Sequence, residues 1–200
     1  APDRFGRVLM RRFEAAKAKE QNRLPTTLFE IDYLLGVNDE ARQGALRFSI
    51  APDENIFLAP KKKISIPPLV DLPKLLSATE RFIADHESTE DLRLLLAPGS
   101  SLGGARPKAS IRDFDGSLAI AKFPRKDDGF NIVVWEAVTL TLAENAGIRV
   151  PKHRLETILE KSVLIIKRFD RDDGNRRPFL SAMSMLGAHD NRSEERRVGK

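Results

Sequence analysis

The sequence predicts an α+β fold in which an antiparallel sheet with a packed helix follows a mainly helical region that carries a short hairpin. Three observations predict it. Residues 4–35 and 72–97 place apolar side chains at helical spacing, whereas 108–123 and 154–168 each read as two short strands around a tight turn. A single helical stretch, 131–145, separates those two strand pairs. The chain of 200 residues, 41% apolar and 32% charged, is long enough for one core or two small ones and too apolar to be disordered.

In chain order, Asp3 is placed to cap a helix over 4–21, with Val8, Leu9, Phe13 and Ala16 on one side and Arg and Lys on the other. Pro25-Thr26-Thr27 reads as the start of a second helix running through Leu28, Ile31, Leu34 and Leu35 to Gly36. After a polar turn over 39–44, residues 45–50 alternate like a strand, and 55–59 supply a hairpin partner. Lys61-Lys62-Lys63 is a basic run, read as a solvated loop or as a binding patch. Pro67-Pro68 breaks the chain before a helix over 72–86 and a shorter one over 91–97. Beyond lie a glycine-rich loop, strands 108–112 and 118–123 turned by Asp115-Gly116, and a helix from the cap Asn131 to Asn145, stopped by Ala146-Gly147. Strands 154–159 and 162–168 around Glu160-Lys161 follow, and a helix starts at 179–186. The expected division is 1–95, 96–190 and a tail, 191–200.

Composition excludes several classes. There is no cysteine, hence no disulfide and no thiolate metal site, which fits a reducing cytoplasm. The three histidines are scattered without metal-ligand spacing, and no apolar run approaches a membrane span. The net charge is +5. Arg192 to Lys200 holds four cations and two anions, so the rest carries only about +3, a mild bias compatible with nucleotide or nucleic-acid contact. The first residue is Ala1 and a helical pattern begins at once, which reads as a fragment at that end.

Chemistry concentrates in Pro98-Gly99-Ser100-Ser101-Leu102-Gly103-Gly104-Ala105-Arg106-Pro107-Lys108. Glycines free backbone N–H groups to face an anion, and cations and hydroxyls stand beside them. Taken alone, the stretch reads as a turn or as a phosphate cradle; the pattern GxxxxGK[ST] is absent. Downstream, Lys122 closes an apolar strand, and Glu136 shares a helix face with Ile132, Leu140 and Ala143. A carboxylate on an apolar face is costly unless paired, and Lys122 is the available partner. A strand lysine with a helix glutamate is the pair with which protein kinases hold ATP phosphates. Ile165-Ile166-Lys167-Arg168-Phe169-Asp170 then ends the second hairpin where a kinase places its hinge.

These residues resemble the HipA-type serine/threonine kinases, the toxins of bacterial toxin–antitoxin pairs. The likeness is carried by residues 99–109, Ile120-Ala121-Lys122-Phe123-Pro124, Trp135-Glu136, Ala146-Gly147-Ile148, Lys167-Arg168-Phe169-Asp170-Arg171 and Pro178-Phe179-Leu180-Ser181-Ala182-Met183, and in the front region by 2–7, 32–37 and 44–48. The resemblance implies a protein-kinase-like N-lobe that uses ATP and Mg2+. Lys122 would hold the phosphates and Glu136 would orient it. Lys167 and Phe169 would offer backbone to adenine, with Asp170 near the ribose. Ser101, Gly103, Gly104, Ala105 and Lys108 would cover the phosphates. Ser101, or alternatively Ser100, matches a serine whose autophosphorylation silences the kinase, in keeping with the repulsion between a phosphoserine and a triphosphate. Implied partners are a helix-turn-helix antitoxin, through which contact with DNA would be indirect, and a protein substrate, an aminoacyl-tRNA synthetase being the family's example.

The catalytic aspartate and the magnesium ligands of that family lie in a C-lobe, in an Asp-Asp-His-x-x-Asn-like stretch that nothing here matches, His189-Asp190 included. Residues 191–200, Asn-Arg-Ser-Glu-Glu-Arg-Arg-Val-Gly-Lys, resemble translated sequencing-adapter read-through. The expectation is a chain without the C-lobe and without phosphotransfer activity alone; label from ATP appearing on Ser101 of the purified chain would overturn it. Other readings are a non-catalytic co-repressor module that docks the antitoxin, and a lipid or small-molecule kinase with the same lobe.

Overall fold

The computed structural model describes residues 2, 4–49, 66–99, 106–172 and 174–187, the side chains of 97–99 and 183 excepted. The Asp3 cap, the partner strand at 55–59, the Lys61-Lys62-Lys63 run, the loop residues Ser100 to Ala105 and the tail lie outside them.

Helix α1 (Arg4–Glu20) buries Phe5, Leu9 and Met10. The second helix starts later than Pro25 suggests: α2 spans Glu30–Leu35. Thr26 N–H donates to Glu14 Oε1 (3.0 Å), and Arg23 pairs with the same carboxylate (2.6 Å), so 23–26 is tied back to α1. The Phe29 N–H instead finds the Asp32 carboxylate (2.8 Å) and sets the helix start there. The expected strand over 45–50 is likewise absent across 45–48, and Ser49 alone sits in a bridge. Side chains hold that segment: Arg47 pairs with Asp39 (2.6 Å), and the Arg42 guanidinium stacks 4.6 Å from the Phe48 ring.

A 3₁₀ turn, Leu69–Asp71, leads into α3 (Leu72–Ile83), which buries Leu72, Leu75, Leu76, Thr79 and Phe82. It ends before His86 because Asp85 turns left-handed (φ 58°) and the His86 N–H returns to the Arg81 carbonyl (2.9 Å). Helix α4 (Thr89–Gly99) opens with a reciprocal cap, Asp91 N–H to Ser88 Oγ (3.1 Å) and Ser88 N–H to Asp91 Oδ2 (2.9 Å). Arg81 of α3 forks onto the same Asp91 and staples the two helices together.

The sheet comprises β1 (Lys108–Arg112), β2 (Leu118–Lys122), β3 (His153–Ile158) and β4 (Lys161–Lys167), ordered β1-β2-β4-β3 with every neighbour antiparallel. The second hairpin turns at Leu159 and Glu160, one residue earlier than the sequence suggests, and both adopt positive φ (47° and 61°), the geometry that matches strand twist. A short hairpin, β5 (Arg171–Asp172) with β6 (Asn175–Arg176), was not anticipated. Helix α5 (Ile132–Asn145) lies between the two strand pairs in sequence, capped by Asn131, whose side chain accepts the Val134 N–H (3.2 Å). Helix α6 is brief, Ala182–Met185, with Ser181 as its cap.

Three layers result. One sheet face, with Ala109, Ile111, Ala119, Ala121, Val163 and Ile165, packs in one apolar cluster with α1, α3 and α4. The other face buries Leu164 and Ile166 under Val133 and Ala137 of α5. Strand β4 is therefore buried on both sides, which explains its unbroken run of Val163, Leu164, Ile165 and Ile166. Among the described residues no helix is long and apolar enough to cross a membrane.

Candidate functional site

Strand β2 runs between two groups of polar side chains. At its C-terminal end Lys122 reaches across to α5 and pairs with Glu136. The helix is rotated by one residue from the expected face: Val133 and Ala137 are buried and Leu140 packs beside them, leaving Glu136 on the flank. That rotation spares the carboxylate full desolvation while keeping it within reach of the lysine. Their side chains are 28% and 35% exposed, so the pair is open to solvent on one side.

Lys108, the first residue of β1, is buried directly across from Lys122. Two residues along the same face, Ser110 is fully buried and its hydroxyl has no hydrogen-bond partner among the described residues. The root of the glycine-rich loop is held by a pairing that the sequence did not suggest, Arg106 with Asp128. Arg106 forks onto Asp128 (Nη1 to Oδ2, 3.0 Å), and Asp128 Oδ2 also accepts the Arg125 N–H (3.1 Å). With Phe123 N–H bonded to the Pro107 carbonyl (3.2 Å), the loop root is fixed to the connection that leads into α5. The doublet Asp127-Asp128 two residues past Arg125 was the only sequence signal for this post.

The other group lies where β4 ends. Lys167 sits opposite Ala119 of β2, and its ammonium pairs with Asp115 (3.2 Å) in the β1–β2 turn. Its N–H is bonded to the Lys152 carbonyl (2.8 Å), and the Arg168 N–H to the Leu118 carbonyl (3.0 Å). The Phe169 N–H has no partner among the described residues. A cavity of ≈ 380 Å³ opens beside this segment, lined by Arg112, Ser117, Leu118, Lys167 and Arg168 among others.

Asp170 does not face outward. Its carboxylate, 4% exposed, accepts from Arg168 Nε (2.8 Å) and Nη2 (2.6 Å), from Arg171 Nη1 (2.9 Å) and from the Gly44 N–H (2.7 Å). Burial alone would raise its pKa; the bonds from Arg168 and Gly44 outweigh that and hold the carboxyl below its usual range. Arg171 is pushed down to about 10 by burial and by the neighbouring Arg168. Arg168 also donates to the carbonyls of Ala41 (2.8 Å) and Arg42 (3.1 Å). Asp170 thereby ties the end of β4 to the 38–44 turn. Alternating charge in Lys167-Arg168-Phe169-Asp170-Arg171, directly after a buried strand, was the clue that these charges pair inward.

Residues 100–198 match the family model of the HipA-like C-terminal domain. The match covers 99 of the 200 residues. No curated protein and no solved structure matches the chain. Lys122, Glu136 and the 167–170 segment all fall within the HipA-like domain, whereas the 38–44 turn gripped by Arg168 and Asp170 precedes it. Of the residues expected to bind a nucleotide, the fold brings Lys108, Lys122 and Glu136 together and places Lys167 and Phe169 at the opposite end of the β2–β4 pair. Ser101, Gly103, Gly104 and Ala105 are outside the described residues.

Proposed function

We propose that this chain supplies the nucleotide-binding lobe of a HipA-type serine/threonine protein kinase that uses ATP, silenced by phosphorylation of Ser101 in the glycine-rich loop. The observation that carries the reading is the Lys122–Glu136 pair bridging sheet and helix. Lys167 sits three strand positions from Lys122, about 10 Å along the β2–β4 pair, and two residues beyond it the Phe169 N–H has no partner among the described residues.

These residues fit ATP. A half-exposed ammonium held by one carboxylate can accept phosphate oxygens without losing its orientation, and an orphan backbone N–H suits the acceptor edge of a purine. Lys122 would hold the phosphates, Glu136 would fix Lys122, and Phe169 N–H with the Lys167 carbonyl would take the base. When bound, ATP supplies the phosphoryl group to be transferred. Among the described residues no group of three or more His, Asp or Glu stands close enough together to hold a metal ion. A helix-turn-helix antitoxin and a protein substrate are the partners that this reading carries with it.

Thermal denaturation of the chain with and without ATP tests the proposal. ATP raises the midpoint of the wild type, as any ligand of the native state must, and Lys122→Ala abolishes the shift while its own midpoint stays close to the wild type. A Lys122→Ala protein that keeps the ATP shift would overturn the proposal.

A further inference from the structure

We propose that the buried Arg168–Asp170 pair is a positioning device for base recognition: it fixes the Phe169 N–H by gripping the 38–44 turn. The inference rests on the nucleotide reading above and assigns a part in that site to a turn that lies outside the HipA-like domain.

Phe169 is flanked by two side chains that are 1% and 4% exposed. Both are anchored to backbone groups 126 or 127 positions upstream: the Ala41 and Arg42 carbonyls hold Arg168, and the Gly44 N–H holds Asp170. Arg171 adds a bond to the Gly44 carbonyl (3.1 Å). The Phe169 ring, itself largely exposed, rests edge-on against Phe179 at 5.0 Å. On either side of that N–H the backbone is tied by one bond, Arg168 N–H to the Leu118 carbonyl (3.0 Å) and Arg177 N–H to the Asp170 carbonyl (3.0 Å), and the two buried side chains add the ties to the 38–44 turn.

Stability alone does not account for the arrangement. A buried ion pair is often matched or surpassed by apolar residues of similar volume, because desolvation consumes most of the Coulombic gain. What apolar packing cannot supply is direction. A planar guanidinium bonded to one carboxylate and two carbonyls admits one geometry. A ligand that meets a fixed N–H gains the bond without first ordering the backbone.

The test compares ATP, which would reach the Phe169 N–H, with inorganic tripolyphosphate, which probes only the Lys122 end. Titration calorimetry of the full chain is run on the wild type, Asp170→Asn and Arg168→Lys. Asp170→Asn is expected to weaken ATP about tenfold, the scale of one hydrogen bond, and to leave tripolyphosphate within about twofold. Arg168→Lys, which keeps the charge and loses the fork, gives a smaller loss with the same selectivity. Folded variants in which ATP is unaffected, or in which both probes weaken in parallel, overturn the inference. Hydrogen exchange needs no variant: the Phe169 amide of the wild type slows with ATP and not with tripolyphosphate, and an amide indifferent to ATP also overturns it. A wild type that binds no ATP removes the nucleotide reading and this inference together, whereas ATP binding with indifferent variants removes the inference alone.

Discussion

At one end of the β2–β4 pair, Lys122 and Glu136 meet with 28% and 35% of their side chains exposed; at the other, Arg168 and Asp170 meet at 1% and 4%. The same chemistry serves opposite ends. Solvent screens the first pair, so it contributes little to folding and its geometry is available to a ligand. The second pair is out of reach of water, and every polar side-chain atom of Asp170 and Arg168 is matched to a partner in the fold. A carboxylate in a sequence motif is therefore not a ligand contact until its burial and partners are known.

Removing a partner from each end should separate the two roles most strongly at the buried one. Asp170→Ala leaves Arg168 and Arg171 without their shared carboxylate and is expected to cost about 3–5 kcal/mol in urea unfolding. A loss below about 1 kcal/mol would mean that the two ends are equivalent after all.

The contrast also bears on what was legible in the sequence. The four strands of the main sheet, the Asn131 cap, the Asp115-Gly116 turn and the Lys122–Glu136 pair follow from local rules, alternation, capping and the cost of an unpaired charge, and the structure contains each of them. Missed were features whose cause lies far away in sequence. The helix expected at Pro25 is pre-empted by Glu14, and the strand at 45–48 by Asp39 and Arg42. Asp170 is claimed by Gly44, and Arg106 by Asp128. Local pattern predicts that a charge needs a partner; only the fold decides which of several arginines and carboxylates it takes.

Acid should act on the buried end with an intermediate effect. The Asp91 carboxyl is held below its usual range chiefly by the hydrogen bond from Arg81, that of Asp113 chiefly by Arg154, and that of Asp170 by Arg168 against its burial. Each stays charged in the fold at a pH where the unfolded chain already binds a proton, so protons favour unfolding. Their contribution is complete above about pH 5 and is lost as pH falls through about 4 and below. The urea midpoint should thus be flat from pH 7 to 5 and drop towards pH 3, with a shallower drop in Asp170→Ala. An equally steep drop in that variant would show that Asp170 is not one of the groups responsible.

The smallest effect on stability should accompany the clearest effect on binding. Glu136→Gln keeps an acceptor beside Lys122 and removes the charge that holds the ammonium in place. Because the pair is open to solvent, its loss should change unfolding free energy by no more than about 1 kcal/mol. The ATP-dependent rise in melting midpoint should nevertheless be largely lost, since an unheld lysine must be ordered by the phosphates at the ligand's expense. Were Glu136→Gln to destabilise the chain as much as Asp170→Ala, the exposed pair would be a structural tie like the buried one. The site would then have lost the physical reason for treating its two ends differently.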